Sequence, residues 1–203
     1  LAGFVVGAVR PEDELTPDRV QPGDVVVGVA SSGLHSNGFS LARRVFDTDI
    51  AGALEESLPG YAGALGDVLL TPTRIYVDAI SALRDKGVRF AGVAHITGGG
   101  LWENPPRSLP ADLCVALDVD ALGGFITPLF RALSARGGIA RAEMYRVFNM
   151  GVGMTLCIRP DDVDTALAAL AAAGETAAVV GNVVPRTDTP VTIAGLGEGP
   201  LSL

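Results

Sequence analysis

The sequence predicts an α+β fold, in which a mixed β-sheet is covered by helices to form an α/β sandwich. Short valine-rich apolar runs of strand length recur along the 203 residues. Helical segments separate some of these runs, but other runs follow one another directly, which a doubly wound parallel sheet does not allow. Because 48% of the residues are hydrophobic, the chain is also able to build a sizeable core.

Six apolar runs have the length and composition of strands. The run VVVGVA is continuous and rich in β-branched residues, which is typical of a buried strand. The predicted strands cover residues 1–10, 25–30, 88–97, 112–119, 150–158 and 176–184.

Five segments have helical spacing, and the clearest covers residues 71–87. Thr71 is a suitable N-cap, Pro72 fits the first turn and Gly87 ends the helix. The remaining stretches, 48–70 and the tail, are rich in glycine or proline and read as irregular. The predicted helices cover residues 39–47, 71–87, 125–138, 142–148 and 159–174.

Two strands carry features that suggest a site. In the strand 88–97, alternation places Val93, His95 and Thr97 on one face. In the strand 150–158, Gly151 and Gly153 fall on one face and leave room for another group to approach.

Charge and composition exclude several classes of protein. The net charge is −8 and no Lys/Arg cluster is present, so we expect no nucleic-acid partner. No apolar stretch is long enough for a membrane span and no signal peptide is visible, which indicates a cytoplasmic protein. An anionic small molecule remains a suitable ligand, because backbone N–H groups bind anions whatever the net charge.

The cysteines and histidines do not form a metal motif. Cys114 and Cys157 lie in separate apolar runs and are expected to be buried free thiols of a reducing compartment. The chain has neither Cys-x-x-Cys nor His-x-x-x-His spacing, so we predict no metal site in it.

Two segments share one pattern of strand, glycine-rich turn and helix: VVVGVA-SSGLHSNG-FSLARR and VAHI-TGGG-LWEN. Such a turn presents backbone N–H groups and the positive end of a helix dipole, which favours an anion such as phosphate. The alternative is a tight turn that only connects two elements. Neither turn matches the phosphate-loop or the dinucleotide-binding pattern.

The two histidines of the chain, His35 and His95, lie in these two turns. Histidine exchanges protons near neutral pH and therefore suits general acid–base catalysis. The alternative is a packed or hydrogen-bonded side chain.

Three further polar residues are candidates. Arg107 follows the second turn and is able to clamp a phosphate, although a surface ion pair is the alternative. Tyr145 and Asn149 are four residues apart and would share a helical face towards a ligand, unless this helix only packs onto the sheet.

Four blocks together resemble a known family: SSGLHSNGFSLAR, LLTPTRIYV, HITGGGLWENPPRSLP and EMYRVFNMGVGM. They are similar to the C-terminal domain of the phosphoribosylformylglycinamidine cyclo-ligase (AIR synthetase) family, in the same order. The likeness runs from Leu1 to about residue 185. Pro105 is a small departure from the family pattern.

The resemblance implies three regions. Residues 1–22 are the last strand of an N-terminal domain with a linker, 23–185 are the C-terminal domain, and 186–203 are a tail. An exposed apolar patch is expected near residues 1–10, where the N-terminal domain would pack.

The resemblance also implies a reaction, the ATP-dependent closure of formylglycinamidine ribonucleotide to aminoimidazole ribonucleotide in purine biosynthesis. ATP and Mg²⁺ would be held mainly by the N-terminal domain, and the intact enzyme would be a homodimer. His35 and His95 are the expected catalytic residues. The expected binding residues for the phosphorylated substrate are Ser36, Asn37, Gly38, Thr97, Gly98, Gly99, Gly100, Asn104, Arg107, Tyr145 and Asn149.

Two alternatives stay open at this point. In the first alternative, the chain alone is a ligand-binding or partner-binding domain without turnover. In the second, the protein is another ATP-dependent member of the superfamily, such as formylglycinamidine ribonucleotide synthetase. The blocks WENPPRSLP and EMYRVFNMGVGM favour the cyclo-ligase.

Overall fold

The computed structural model describes residues 3–197 and Leu201, which contain a six-stranded sheet of order β2-β4-β1-β5-β3-β6. All neighbouring strands are antiparallel except β3 and β6, which run parallel. The predicted α+β class with a mixed sheet is therefore confirmed. The strands are β1 (Val25–Ala30), β2 (Phe90–His95), β3 (Leu113–Asp118), β4 (Val152–Ile158), β5 (Ala177–Pro185) and β6 (Val191–Ala194).

Helices cover both faces of the sheet. Local sequence explains their bounds where it supplies terminal signals: α6 begins at Pro128, and Gly138 closes it with a φ of 58°. The helices are α1 (Phe39–Val45), α2 (Leu65–Leu69), α3 (Val77–Asp85), α4 (Gly100–Glu103), α5 (Val119–Gly123), α6 (Pro128–Gly137), α7 (Arg141–Val147) and α8 (Val163–Ala172).

Two buried apolar clusters fill the spaces between the sheet and its helices. The smaller cluster joins Leu83 of α3 and Leu170 of α8 to Leu156 of β4. The larger cluster joins the other helices to the opposite face, with Phe130 of α6 and Met144 of α7 among its fully buried side chains. No helix in residues 3–197 is long and apolar enough to cross a membrane.

The strand order brings the C-terminal ends of two strands to the same end of the sheet. β1 and β2 are both antiparallel to β4, which lies between them. They therefore run in the same direction, and their final residues, Ala30 and His95, lie at the same end of the sheet.

The predicted helix 71–87 is wrong in its first six residues. The helix α3 begins only at Val77, so Thr71 does not cap it and Pro72 is not in its first turn. Residues 71–76 form no helix or strand, and Tyr76 donates a hydrogen bond of 2.8 Å to the carbonyl of Ala30. Tertiary contacts with the first glycine turn override the local helix signal here.

The predicted strand 1–10 is wrong across its described part. Residues 3–10 form no strand, because a strand needs a partner and none of the described residues pairs with them. Phe4 and Val5 are each 93% exposed, and Val6 is 82% exposed. The expected exposed apolar patch is present in residues 3–9.

The described part of the predicted tail, residues 186–197 and Leu201, is more regular than predicted. β6 extends the sheet beyond residue 185 by pairing with β3, and Leu201 is buried in the larger cluster. The stretch 48–70, predicted to be irregular, contains the short helix α2. These elements are only four and five residues long, too short for periodicity to reveal.

Candidate functional site

The two glycine-rich turns lie beside each other at the end of the sheet where β1 and β2 finish. Residues 31–38 follow β1, and residues 96–99 follow β2. A Cβ atom on Gly98 would lie 3.7 Å from the side-chain oxygen of Asn37. The two segments that share one sequence pattern therefore face each other in space.

Three aromatic rings converge beside these turns. The ring centres of His35 and His95 are 5.9 Å apart, and the ring of Tyr76 lies 6.2 Å from His35 and 6.1 Å from His95. Gly153 of β4 lies next to them, since a Cβ atom there would overlap the Tyr76 hydroxyl and lie 2.6 Å from Cε1 of His35. The missing side chain of Gly153 therefore leaves room for these rings.

His35 is buried and held by backbone donors. Only 4% of the residue is exposed. Its Nε2 atom accepts hydrogen bonds from the backbone N–H of Ser32 at 3.1 Å and of Arg74 at 3.5 Å. Burial, and then the charges of His95 and Arg74, lower the pKa of His35 from 6.5 to about 4. His35 is therefore neutral at pH 7.

His95 differs from His35 because it is exposed. It lines a shallow cleft of about 300 Å³. Beside His35 lies a second cleft of about 300 Å³. The first cleft is also lined by Val93, Ala94, Thr97, Asn104, Arg107 and Ser108, and the second by Ser36, Phe39, Leu69, Leu70, Thr71, Pro72 and Thr73.

A larger cleft of about 550 Å³ lies at the opposite end of the sheet, near Phe90. It contains neither histidine nor either glycine turn. Two of its arginines are held in ion pairs, Arg159 with Asp24 and Arg89 with Asp162. Size alone therefore does not mark the functional site, and the chemistry points to the smaller clefts.

The three consecutive glycines have different reasons to be glycine. Gly99 and Gly100 have positive φ angles of 95° and 56°. Gly100 also packs so tightly against the carbonyl oxygens of α7 that a side chain would collide with the Tyr145 carbonyl oxygen. Gly98 has neither constraint: among the described residues outside its chain neighbours, only the side-chain oxygen of Asn37 lies within 4 Å of the position that a Cβ atom would take. A ligand is therefore able to approach the backbone at Gly98.

Asn104 is buried, and its amide group is fully used in shaping the second turn. It accepts hydrogen bonds from the backbone N–H and the hydroxyl of Thr97, at 3.2 and 2.8 Å. It donates to the carbonyls of Gly98 and Gly100, at 3.1 and 2.8 Å. Asn104 would have to give up one of these bonds to contact a ligand. The Thr97 hydroxyl would have to give up its bond to Asn104 before it could donate to a ligand.

The prediction that Tyr145 and Asn149 share a helical face is wrong. The helix α7 ends at Val147, and Phe148 is extended, so this spacing lies outside a helix. Tyr145 is fully buried, and burial raises its pKa to about 12. Asn149 instead fastens the first turn to the chain before β4, through hydrogen bonds with Ser31, Gly33 and Gly151.

The predicted residues of the first turn have mixed roles. Ser36 is exposed, and its hydroxyl lies 3.1 Å from that of Thr73. Asn37 is half-buried and faces the second turn. Gly38 has a φ of 77° and lies against the ring of Phe148, which leaves no space for a side chain. Ser36 and Asn37 are thus the members of this turn placed to meet a ligand.

Arg107 is placed to meet an anion. Its side chain is 63% exposed and lines the cleft of His95. The ion pair with Glu103 is loose, with 3.9 Å between the charged atoms. Arg107 is therefore free to turn towards a ligand in the cleft at low cost.

Sequence reasoning missed a group of residues that surrounds His35. Arg74 and Tyr76 contact it, and Glu175 forms an ion pair of 2.7 Å with Arg74. Burial, followed by the nearby charge of Glu175, raises the pKa of Tyr76 above its ordinary value. The block LLTPTRIYV contains Arg74 and Tyr76, but their predicted place in a helix gives no indication that they contact His35. Glu175 lies in a predicted connection, and no local signal marks it.

The described residues do not provide a set of ligands for the magnesium ion implied by the resemblance. Within residues 3–197, no three histidine, cysteine, aspartate or glutamate side chains come together around a possible metal position. We therefore derive no step of chemistry through a metal.

The fold is similar to those of a hydrogenase maturation protein and of a kinase. The crystal structure of E. coli HypE, a hydrogenase maturation protein, has a TM-score of 0.61 at 21% identity, covering 97% of this chain and 54% of that one. Thiamine-monophosphate kinase from Stenotrophomonas maltophilia has a TM-score of 0.58 at 19% identity, covering 89% and 53%. At these identities the likeness shows the fold alone.

Residues 21–193 match the family described as AIR synthase related protein, C-terminal domain, and the chain belongs to this family. Curated relatives agree. Phosphoribosylformylglycinamidine cyclo-ligase of Lachnospira eligens is 44% identical, covering 90% of this chain and 53% of the relative. The same enzyme of Sorangium cellulosum is 46% identical, covering 94% and 54%. The chain thus spans about half the length of these relatives.

Proposed function

We propose that this chain is the C-terminal domain of a phosphoribosylformylglycinamidine cyclo-ligase. The whole protein uses ATP to convert formylglycinamidine ribonucleotide into aminoimidazole ribonucleotide, a step of purine biosynthesis. Relatives of that name at 44% and 46% identity support the proposal. The observation that carries it is the meeting of both glycine turns, with the rings of His35 and His95 5.9 Å apart.

The reaction requires a poor leaving group to become a good one. The formyl oxygen of the substrate takes the γ-phosphoryl group of ATP, and ADP leaves. The amidine nitrogen then attacks the formyl carbon, the carbon–oxygen bond breaks, and phosphate departs with the oxygen and the electron pair. The attacking nitrogen and the formamide nitrogen each lose a proton; the departing phosphate carries one of them, and a base in the site accepts the other. The site must therefore bind phosphoryl oxygens and accept a proton.

The described residues meet these two demands in different places. The open backbone at Gly98 and the exposed side chain of Arg107 bind phosphoryl oxygens, with Ser36 and Asn37 on the facing turn. His95 is the exposed histidine of the cleft, and it handles the proton. Asn104 keeps the second turn in shape.

The other parts of the reaction lie outside this chain. We propose that an N-terminal domain holds most of the ATP and Mg²⁺ site and packs on the exposed apolar residues 3–9. One structural neighbour is a hydrogenase maturation protein in complex with ATP, which is consistent with ATP use in this fold class. The intact protein is a cytoplasmic homodimer in this proposal.

An assay of the intact protein tests the proposed activity. Supplied with ATP and formylglycinamidine ribonucleotide, it is expected to form the aminoimidazole product, which is detected colorimetrically. His95→Ala should lower kcat by on the order of 10²-fold, because a proton-transfer group is lost. Lys86→Ala changes an exposed residue at the end of α3, outside both clefts, and serves as the control.

Two outcomes would contradict the proposal. Absence of product from the intact wild-type protein would remove the cyclo-ligase function. Unchanged turnover in His95→Ala would remove His95 from proton transfer while leaving the activity itself in place. The 203-residue chain alone is expected to form no product.

A further inference from the structure

Residues 71–76, here called the clamp segment, lie across the first glycine turn. Three hydrogen bonds join it to this turn, and a fourth joins it to Ala30, the last residue of β1. Two of them link side chains to backbone: the Ser32 hydroxyl donates to the Pro72 carbonyl at 2.6 Å, and the Tyr76 hydroxyl donates to the Ala30 carbonyl at 2.8 Å. The others are the 3.1 Å hydroxyl pair of Ser36 and Thr73, and the bond from the Arg74 backbone to His35.

The clamp segment is also anchored away from the turn. The Arg74 side chain forms an ion pair of 2.7 Å with Glu175, and it donates a hydrogen bond of 3.0 Å to the carbonyl of Gly174. The side chain of Glu175 is only 6% exposed. This anchor ties the clamp segment to the connection between α8 and β5.

The hydrogen bonds of His35 determine which of its nitrogens carries the proton. A backbone N–H only donates, so the Nε2 atom that faces Ser32 and Arg74 must be an acceptor without a proton. The neutral ring therefore carries its proton on Nδ1. Nδ1 is buried, and no described residue accepts a hydrogen bond from it.

A buried donor without a partner destabilises the folded chain, because the N–H has lost its hydrogen bond to water and gained none in return. Such groups are uncommon in folded proteins and call for an explanation. His35 belongs to the first turn and lines the cleft beside it, with the ring of His95 5.9 Å away. An acceptor atom of a ligand that enters this cleft and uncovers Nδ1 would satisfy it.

We propose that His35 is a neutral hydrogen-bond donor, which uses its Nδ1–H to bind an acceptor oxygen of the substrate. Arg74 and Tyr76 are positioning residues, which hold the ring in this tautomer through the clamp segment. The inference rests on the proposed function only for the identity of the substrate. It separates the two histidines, because His35 donates without changing its charge and His95 handles the proton.

The groups that face His35 favour the neutral ring. His95 and Arg74 both disfavour a positive charge there, and Tyr76 contributes a neutral ring with its hydroxyl turned to Ala30. Glu175 is held by Arg74. Neutrality at pH 7 therefore has causes in the burial of the ring and in its charged neighbours.

Nitrogen-15 NMR of the histidine rings in the 203-residue chain tests the tautomer directly. At pH 7, the His35 ring is expected to show a protonated Nδ1 and an unprotonated Nε2. This pattern should persist as the pH falls to about 5. A proton on Nε2, or a doubly protonated ring at pH 6, would overturn the proposal. The measurement does not depend on any enzymatic activity.

Two substitutions that conserve charge test the clamp segment. Tyr76→Phe removes the hydroxyl, and Arg74→Lys keeps the charge but loses the two-point anchor to Gly174 and Glu175. Each is expected to mix the tautomers and to raise the pKa of His35 towards its ordinary value, because a loosened clamp segment buries the ring less.

Arg89→Lys is the matched control for Arg74→Lys. Arg89 also forms a two-point contact, with Asp162, but it lies at the opposite end of β2 from the site. It should leave the His35 signals unchanged. If both clamp variants fold and keep the wild-type tautomer and pKa, the positioning role is wrong.

Kinetics of the intact enzyme test the donor role. An asparagine amide reaches the position of Nδ1, whereas a glutamine amide reaches that of Nε2, and asparagine also tolerates the left-handed backbone of His35. His35→Asn is therefore expected to retain at least about 10-fold more kcat than His35→Gln. Equal or reversed kcat values would contradict donation from Nδ1. Absence of activity in the wild type would instead contradict the proposed function.

Discussion

Gly100 packs so closely against Tyr145 of α7 that a Cβ atom on Gly100 would overlap the carbonyl oxygen of Tyr145. The carbonyl oxygens of Arg146 and Phe148 would also lie 2.9 Å from a Cβ atom at this position. The absence of a side chain at the last glycine of the TGGG run therefore allows the second turn to pack against the backbone at the end of α7. This contact is structural, and it separates Gly100 from Gly98, which remains open to a ligand.

Gly100→Ala is expected to destabilise the chain severely. The new Cβ would collide with backbone atoms, which cannot rotate away, and the φ of 56° disfavours a side chain. We expect a loss of about 3 kcal/mol or more in the free energy of unfolding, or failure to fold. Urea denaturation of the purified chain measures this loss.

Gly98→Ala is the matched control within the same run. Its Cβ would meet only the Asn37 oxygen at 3.7 Å, an ordinary contact. The free energy of unfolding should change by less than about 1 kcal/mol, while substrate binding by the intact enzyme weakens. Equal stability losses at Gly98 and Gly100 would contradict the distinction drawn between them.

Asn104→Ala is expected to lower stability because it removes four hydrogen bonds from a buried turn. It leaves the carbonyl of Gly98 without its side-chain donor, whereas the carbonyl of Gly100 keeps the hydrogen bond from the Asn104 backbone N–H. The expected cost is about 2–4 kcal/mol, measured by thermal or urea unfolding. Asn37→Ala, at a half-buried site, should cost less than about 0.5 kcal/mol. If Asn104→Ala were as stable as Asn37→Ala, the structural role of Asn104 would be wrong.

Much of the sheet is predictable because its strands are continuous apolar runs. VVVGVA forms β1, a central strand whose middle residues are buried. The two glycine turns are also visible locally, since glycine and histidine stand out there from the surrounding apolar residues. Their meeting follows from the strand order, which no local pattern contains.

The roles of single residues are less predictable because they depend on distant contacts. Asn149 is four residues after Tyr145, which suggests a shared helical face towards a ligand. Its side-chain amide instead forms hydrogen bonds with Gly33 and Gly151. Residues 71–76 have the composition of a helix start, yet hydrogen bonds to Ser32 of the first turn and to Ala30 at the end of β1 hold them out of the helix. Long-range hydrogen bonds of this kind leave no periodic signal in the sequence.

Arg107→Ala is expected to weaken substrate binding without affecting the fold. A charge-assisted hydrogen bond to a phosphoryl oxygen contributes about 1.5–3 kcal/mol, so KM should rise by about 10-fold or more. The loose pair with Glu103 contributes little, and stability should change by less than about 0.5 kcal/mol. Steady-state kinetics of the intact enzyme measure the change in KM.

Arg146→Ala provides the comparison for Arg107. Its side chain is 58% exposed and forms a similarly loose pair with Glu143, at 3.7 Å, but it does not line the His95 cleft. KM should stay unchanged in this variant. A matching rise in KM would show that Arg107 acts through general charge and not through a contact.

Protonation of His35 is expected to make the fold less stable in mild acid. The folded ring has a pKa of about 4, whereas the unfolded ring has the ordinary value of 6.5. Between these values the unfolded chain binds a proton that the folded chain does not, so stability falls as the pH falls. The contribution is up to about 3 kcal/mol.

His35→Asn removes this titration and fits the positive φ of 56°. Urea unfolding of both chains at pH 6.5, 5.5 and 4.5 should show a shallower loss of stability in the variant. Identical pH dependence in the two chains would mean that His35 has an ordinary pKa when folded.

Gly153→Ala is expected to disturb the three-ring cluster from the sheet side. The new methyl group would overlap the Tyr76 hydroxyl and press on His35, at a cost of about 1–3 kcal/mol. The ring signals of both residues should shift in NMR spectra, along with the unfolding midpoint. Gly123→Ala in α5, where a Cβ meets nothing within 4 Å, should leave both unchanged. Unshifted ring signals in Gly153→Ala would show that the cluster does not depend on the space above β4.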